Sequence, residues 1–225
     1  MESPRARQHP VSYFRSVVLD VDSTVSAIEG IDWLAERRGA DVATMVATLT
    51  VDAMEGRITL DAVYGRRLAI IRPTRAEIRE LAGEYIARAM PGVREAVSVW
   101  RDAGVRVVLV SGGLRDAILP LALWLGIPWR DVHAVEVEYD ADGITTGVRG
   151  DALLARNGGK PILVTSLVLP TPVLAVGDGA TDAELAPVVN RFFAFTGVAR
   201  RDAVVARAAG EVQSFARLTQ IVLGT

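Results

Sequence analysis

Short uncharged apolar runs that alternate with helical patterns predict an α/β fold: a doubly wound parallel, Rossmann-like sheet with a helical cap insert and a small β-hairpin. Three observations carry this. Residues 17–19 (Val-Val-Leu), 105–110 and 173–176 form continuous apolar runs, the pattern of strands buried on both faces. About 85 residues separate the first run from the second, where a simple crossover needs a dozen or so. Alternating apolar residues flank Asp140-Ala-Asp-Gly143, the composition of a hairpin turn.

Taken in order, residues 1–14 read as a loose polar tail. Residues 15–24 carry the first strand, and residues 25–90 the insert. Within the insert, 41–54 and 60–71 have helical spacing. Thr74-Arg-Ala-Glu77 is a capping box, followed by Ile78, Leu81, Ala82 and Tyr85 on one helical face. Residues 91–225 resume the core with the second strand. Residues 135–139 and 144–148 form the expected hairpin. The uncharged stretch 161–177 contains three prolines and is too short to span a membrane. It reads as a short buried helix, a loop and a buried strand. Residues 192–195 are a weaker fourth strand.

Composition narrows the function. The net charge of -2 in 225 residues offers no basic footprint for nucleic acid. There is no cysteine, which excludes disulfides and thiolate zinc sites. His9 and His133 are too few for a histidine-built metal centre. Neither a secretory signal nor a membrane span is visible, so the expectation is a soluble, cytoplasmic chain. The sequence leaves the oligomeric state open. Lys160 is the only lysine, against 24 arginines.

In an open α/β sheet, ligands bind beyond the carboxyl ends of the strands. Asp20-Val-Asp22-Ser-Thr24 follows the first strand, and Ser111-Gly112-Gly113 the second. Gly158-Gly159-Lys160 precedes the third, and Gly177-Asp178-Gly179-Ala-Thr181-Asp182 follows it. Each group alone is ordinary loop chemistry. Together they bring several carboxylates to one crevice, which a hard divalent cation would compensate. The hydroxyl, the glycine amides and the lysine suit phosphate oxygens. A lone lysine in an arginine-rich chain points to a place that needs a compact point charge; its bland alternative is a solvated surface residue.

These motifs resemble those of haloacid dehalogenase superfamily phosphatases. The phosphoserine phosphatase branch is nearer still, through Glu29-Gly-Ile-Asp32, Ala53-Met54-Glu-Gly56 and Arg67-Leu68. The resemblance runs from about residue 15 to the end. It implies hydrolysis of a small phosphomonoester, O-phosphoserine first among them, with Mg²⁺ and through a phosphoaspartyl intermediate. Asp20 would be the nucleophile and Asp22 the general acid and then base, with Thr24 orienting their loop. Asp20, the carbonyl of Asp22, and Asp178 would bind Mg²⁺, supported by Asp182 through water. Ser111, Gly112 and Lys160 would hold the phosphoryl group, and Thr181 would lie beside the substrate. Glu29 would take the substrate amine and Arg67 its carboxylate, with Met54 lining the pocket.

Alternatives stand beside the insert residues. Ser26-Ala-Ile-Glu29 also fits a capping box. Arg67 shares a helical face with Leu60, Val63 and Tyr64 and could hold a structural ion pair, and Met54 could fill core. Rival activities are hydrolysis of phosphoethanolamine, phosphocholine or homoserine phosphate, and phosphotransfer to an acceptor other than water.

Overall fold

The computed structural model describes residues 13–55, 57–150 and 152–225. Its main sheet has six strands, all parallel, in the order β3 (Val132–Val135), β2 (Arg106–Leu114), β1 (Ser16–Leu19), β6 (Val173–Gly177), β7 (Arg191–Phe195) and β8 (Gly210–Val212). β1 (Ser16–Leu19) is central, between β2 (Arg106–Leu114) and β6 (Val173–Gly177). Its four residues are all buried, as a continuous apolar run predicts. The register pairs Leu19 with Leu109 on one side and Val176 on the other. Asp20 therefore emerges level with Val110, where the register of β2 begins to shift, and with Gly177 at the end of β6. This is the point from which the strand order runs outward in two directions, where such sheets open a crevice.

The insert between β1 and β2 is helical, as expected. It holds α1 (Gly30–Glu36), α2 (Ala40–Met54), α3 (Leu60–Ile71) and α4 (Arg75–Ala87). α4 begins with the Thr74–Glu77 capping box. The Arg38 guanidinium adds a fork onto both Glu77 oxygens, at 2.7 and 2.8 Å, and donates to the Ile71 carbonyl at 2.7 Å. One side chain thus ties the end of α1 to the end of α3 and the start of α4. Gly56, one of the motif glycines, lies outside the described residues.

α5 (Val93–Asp102) leads into β2, and α6 (Arg115–Trp124) follows it. α6 packs against α4, which seats the last insert helix on the body of the molecule. α7 (Gly159–Ser166) precedes β6. Beyond β6 come α8 (Ala180–Ala183), β7 (Arg191–Phe195), α9 (Asp202–Val205), β8 (Gly210–Val212) and α10 (Phe215–Leu223). Phe215 stacks near Trp100 and Phe195, with ring centroids 6.2 and 5.6 Å apart, closing the core where α10 meets α5.

The structure corrects four expectations. Residues 135–139 are not one hairpin strand: β3 (Val132–Val135) joins the main sheet and β4 (Val137–Tyr139) pairs with β5 (Thr145–Val148). Exposed Glu136 marks the break. β8 was not anticipated; it is three residues long with only Val212 buried. Ser111-Gly112-Gly113 lies within β2 rather than after it, where pairing with β3 shifts register between Val110 and Leu114. The expected tail also ends too late, since Phe14 is buried and its N–H donates to the Val222 carbonyl. Residues 1–12 of that tail, with His9, fall outside the described residues. Among the described residues, no helix is long and apolar enough to cross a membrane.

Candidate active site

The strand ends converge as the register requires. Lys160, on the first turn of α7, is 4% exposed, and its Nζ donates to Asp20 Oδ1 at 2.7 Å and Asp182 Oδ1 at 2.6 Å. The surface-residue alternative for Lys160 therefore fails. Burial alone would lower the ammonium pKa, but the charges of Asp182 and Asp20 outweigh it and hold the group above its usual range. Gly177 makes this closeness possible, because a Cβ there would stand 2.1 Å from Asp182 Cγ.

Asp20, Asp178 and Asp182 are all buried, and one carboxylate oxygen of each lies within 4.8 Å of the others. Burial raises the Asp20 carboxyl well above the ordinary range, reinforced by the Asp182 charge and opposed by Lys160. Burial likewise pushes Asp178 up to about 7, against the pull of Arg201. Asp178 accepts from Thr24 Oγ1 at 3.2 Å and from the Arg201 guanidinium. Such a set of hard oxygen donors, short of positive charge, suits Mg²⁺.

Asp22 lies outside that cluster. Its Oδ1 accepts from the Gly30 N–H at 2.6 Å and from the Tyr85 hydroxyl at 2.7 Å; its Oδ2 faces Ser111 Oγ at 3.4 Å. Burial raises its pKa, and the Gly30 and Tyr85 donors partly offset this. Ser111 Oγ accepts from the Gly113 N–H at 2.9 Å, which orders the Ser111–Gly113 segment. The Tyr64 hydroxyl on α3 donates to the Gly112 carbonyl at 2.7 Å, a direct bond between insert and loop.

Asp20, Asp22, Glu29, Met54, Arg67, Gly112, Lys160 and Thr181 line one cleft between insert and sheet. Ser111 and Asp178 lie just beneath its floor, 0% and 2% exposed. Glu29 does not close a capping box with Ser26: its Oε1 accepts from Ser23 Oγ at 2.6 Å, and Ser26 Oγ donates to the Arg88 carbonyl. Burial, then the nearby Asp22 charge, raises the Glu29 carboxyl well above normal. Arg67 makes no ion pair among the described residues. Its Nη1 donates to Thr50 Oγ1 at 2.8 Å, and Thr50 donates to Asp32 Oδ1 at 2.6 Å. Arg67 Nε is buried without a partner. Met54 lies over the Gly179 turn, its Sδ 2.9 Å from where a Gly179 Cβ would be.

Sequence reasoning missed Thr50, Tyr64, Tyr85 and Arg201. The tyrosines read as core because each sits on the apolar face of its helix. Arg201 arrives from the loop beyond β7, with no local pattern to announce it.

Residues 17–187 match the family model of haloacid dehalogenase-like hydrolases. Phosphoserine phosphatase of Bos taurus is 35% identical over 206 residues, covering 90% of this chain and 91% of that protein. Its Drosophila melanogaster counterpart is 34% identical over 221 residues, covering 96% and 81%. A crystal structure of a phosphoserine phosphohydrolase-like protein from Francisella tularensis superposes with a TM-score of 0.86 over 92% of this chain and 99% of that one; at 24% identity this speaks for the fold. The chain belongs to the haloacid dehalogenase-like hydrolases, and it is a phosphoric monoester hydrolase similar to phosphoserine phosphatases.

Proposed function

We propose that this chain hydrolyses O-phosphoserine to serine and phosphate through a phosphoaspartyl intermediate on Asp20, with Mg²⁺ as cofactor. Mg²⁺ would be held by the carboxylates of Asp20 and Asp178 and the main-chain carbonyl of Asp22, with Asp182 beside them. When bound, it neutralises charge on the transferring phosphoryl group.

The protein's own groups divide the remaining work. Lys160, Ser111 and the Gly112 amide hold phosphoryl oxygens in line with Asp20. A carboxylate oxygen of Asp20 bonds to phosphorus as the bond to the serine oxygen breaks, and the Asp22 proton passes to that oxygen. Water then attacks phosphorus, its proton returns to Asp22, and Asp20 is released. Splitting one difficult displacement into two easier ones is the gain of covalent catalysis.

The choice of phosphoserine rests on Arg67. Its guanidinium is fixed at one end by Thr50 and leaves a buried Nε without an acceptor at the wall of the cleft. A substrate carboxylate would fill that vacancy with a charge-assisted bond, and the Glu29 carboxylate at the same cleft would take the amine. Phosphoethanolamine and phosphocholine have no carboxylate to offer.

The test compares two esters. With Mg²⁺, phosphate release from phosphoserine should be brisk and should stop on adding EDTA. Arg67→Ala should lower kcat/KM for phosphoserine by about 2–5 kcal/mol, roughly 30-fold or more. For p-nitrophenyl phosphate, which makes no such contact, the loss should be small. Equal losses with a lowered melting temperature would mean that Arg67 holds the insert together and does not read the substrate.

A further inference from the structure

Asp20 and its partners are delivered by the sheet, but the donors that hold Asp22 Oδ1 come from the insert: the N–H of Gly30 at the start of α1, and the hydroxyl of Tyr85 on α4. We propose that Tyr85 is a positioning residue for the reaction: with Gly30 it saturates Asp22 Oδ1, so that the transferable proton is carried on Oδ2, the oxygen turned toward the phosphate loop. This rests on the acid–base role of Asp22 proposed above.

The chemistry follows from counting acceptors. A carboxyl oxygen offers two lone pairs, and on Oδ1 both are engaged by short bonds, at 2.6 and 2.7 Å. A proton placed there would have to displace one of the donors. Oδ2 has only the long contact to Ser111 Oγ, 3.4 Å, and a Cβ on Gly113 would stand 2.8 Å from it. It is thus the less engaged oxygen, with one long bond from the Ser111 hydroxyl, and it faces the loop proposed to hold the phosphoryl group. When the proton leaves, the negative charge that develops on Asp22 is already met by two donors on its far oxygen.

The surroundings keep the hydroxyl in place. Tyr85 is fully buried, and two glycines clear its slot: a Cβ on Gly30 would come within 2.1 Å of the Tyr85 oxygen and one on Gly113 within 3.1 Å. The phenol is an ordinary hydroxyl donor, and its 2.7 Å bond to Oδ1 is made inside the core. α4 itself is fixed, by α6 along its length and by the hairpin at its start, where the Arg75 N–H donates to the Gly143 carbonyl at 2.8 Å.

The test separates acid positioning from packing by leaving group. An alkyl oxygen such as that of serine needs the proton as it departs, whereas p-nitrophenolate leaves without one. Tyr85→Phe should slow enzyme phosphorylation by phosphoserine, read by rapid quench, about tenfold, the size of one hydrogen bond to a charged group. The p-nitrophenol burst from the aryl ester should slow about twofold or less, the differential that general acid catalysis requires. Equal slowing on both esters, or none on phosphoserine, would overturn the proposal. Should Tyr85→Phe melt far below wild type, Tyr85→Met fills the slot without a donor and is read in the same way. A wild-type enzyme that forms no phosphoaspartate at residue 20 would overturn the underlying mechanism instead, so the two failures are distinct.

Discussion

Lys160 allows stability and catalysis to be pulled apart. Its ammonium neutralises two carboxylates, Asp20 and Asp182, that are 5% and 2% exposed. Lys160→Ala strands both in a buried setting, and breaking a buried pair from one side costs about 3–5 kcal/mol. For a chain of this size each kcal/mol is worth roughly 2–4 °C, so the melting temperature should fall by roughly 10 °C. Lys160→Arg restores the charge and should recover much of that loss. It should not recover turnover. The ammonium is a compact donor held at 2.6 and 2.7 Å from its partners, whereas a guanidinium is longer and planar. Displacing such a group by about 1 Å can cost about 10²-fold in rate. The assay is paired: thermal melts with and without Mg²⁺, and kcat on phosphoserine for wild type and both variants. An arginine variant that keeps most of wild-type kcat would refute the argument that the site needs a point charge.

Three further outcomes follow from the same geometry. Asp20→Asn should abolish turnover and covalent labelling, and Asp22→Asn should slow turnover by about 10²–10⁴; mass spectrometry that finds the phosphoryl group on another residue would remove Asp20 from its role. Asp178, lifted from 3.8 to about 7 without metal, holds a proton in the folded protein that the unfolded chain releases. That contribution to stability is full below 3.8 and lost as pH rises through about 7. The proton must leave for Mg²⁺ to bind, so affinity should weaken by about tenfold per unit below pH 7, and calorimetric titrations showing constant affinity from about pH 5.5 to 7 would contradict this. Glu77 has the opposite sign: the Arg38 fork holds it at about 2 against an ordinary 4.5, so its contribution is full above 4.5 and lost as pH falls toward 2. Glu77→Gln should cost about 1 kcal/mol at neutral pH, measured by denaturant melts, and the gap to wild type should close in acid.

The parts of the fold that were legible in the sequence are those whose signal is local. β1 and β6 are uninterrupted apolar runs because both faces are covered, and α4 announces itself through Thr74 and Glu77. β3 escaped because Val-His-Ala-Val is an edge strand with two half-buried positions, and β8 because three residues make no pattern. In the site, the polar side chains at strand ends that converge on one cleft could be read directly. Those that act by reaching across the fold could not. The hydroxyls of Tyr64 and Tyr85 are invisible to a hydrophobic periodicity that counts both rings as core. The Ser26–Glu29 spacing gave a false alternative, because Ser23 intercepts Glu29 before it can turn back to cap the helix.

The uniqueness of Lys160 also bears on the handling of the protein. Amine-directed reagents find one side-chain target in the whole sequence, and it lies at the bottom of the substrate cleft. Surface labelling, amine coupling and lysine cross-linking should therefore leave the body of the molecule unmarked. The ammonium is itself buried and held protonated by Asp20 and Asp182, so it should acylate far more slowly than an ordinary lysine, and Asp182→Asn, which removes one of the two carboxylates, should speed its modification.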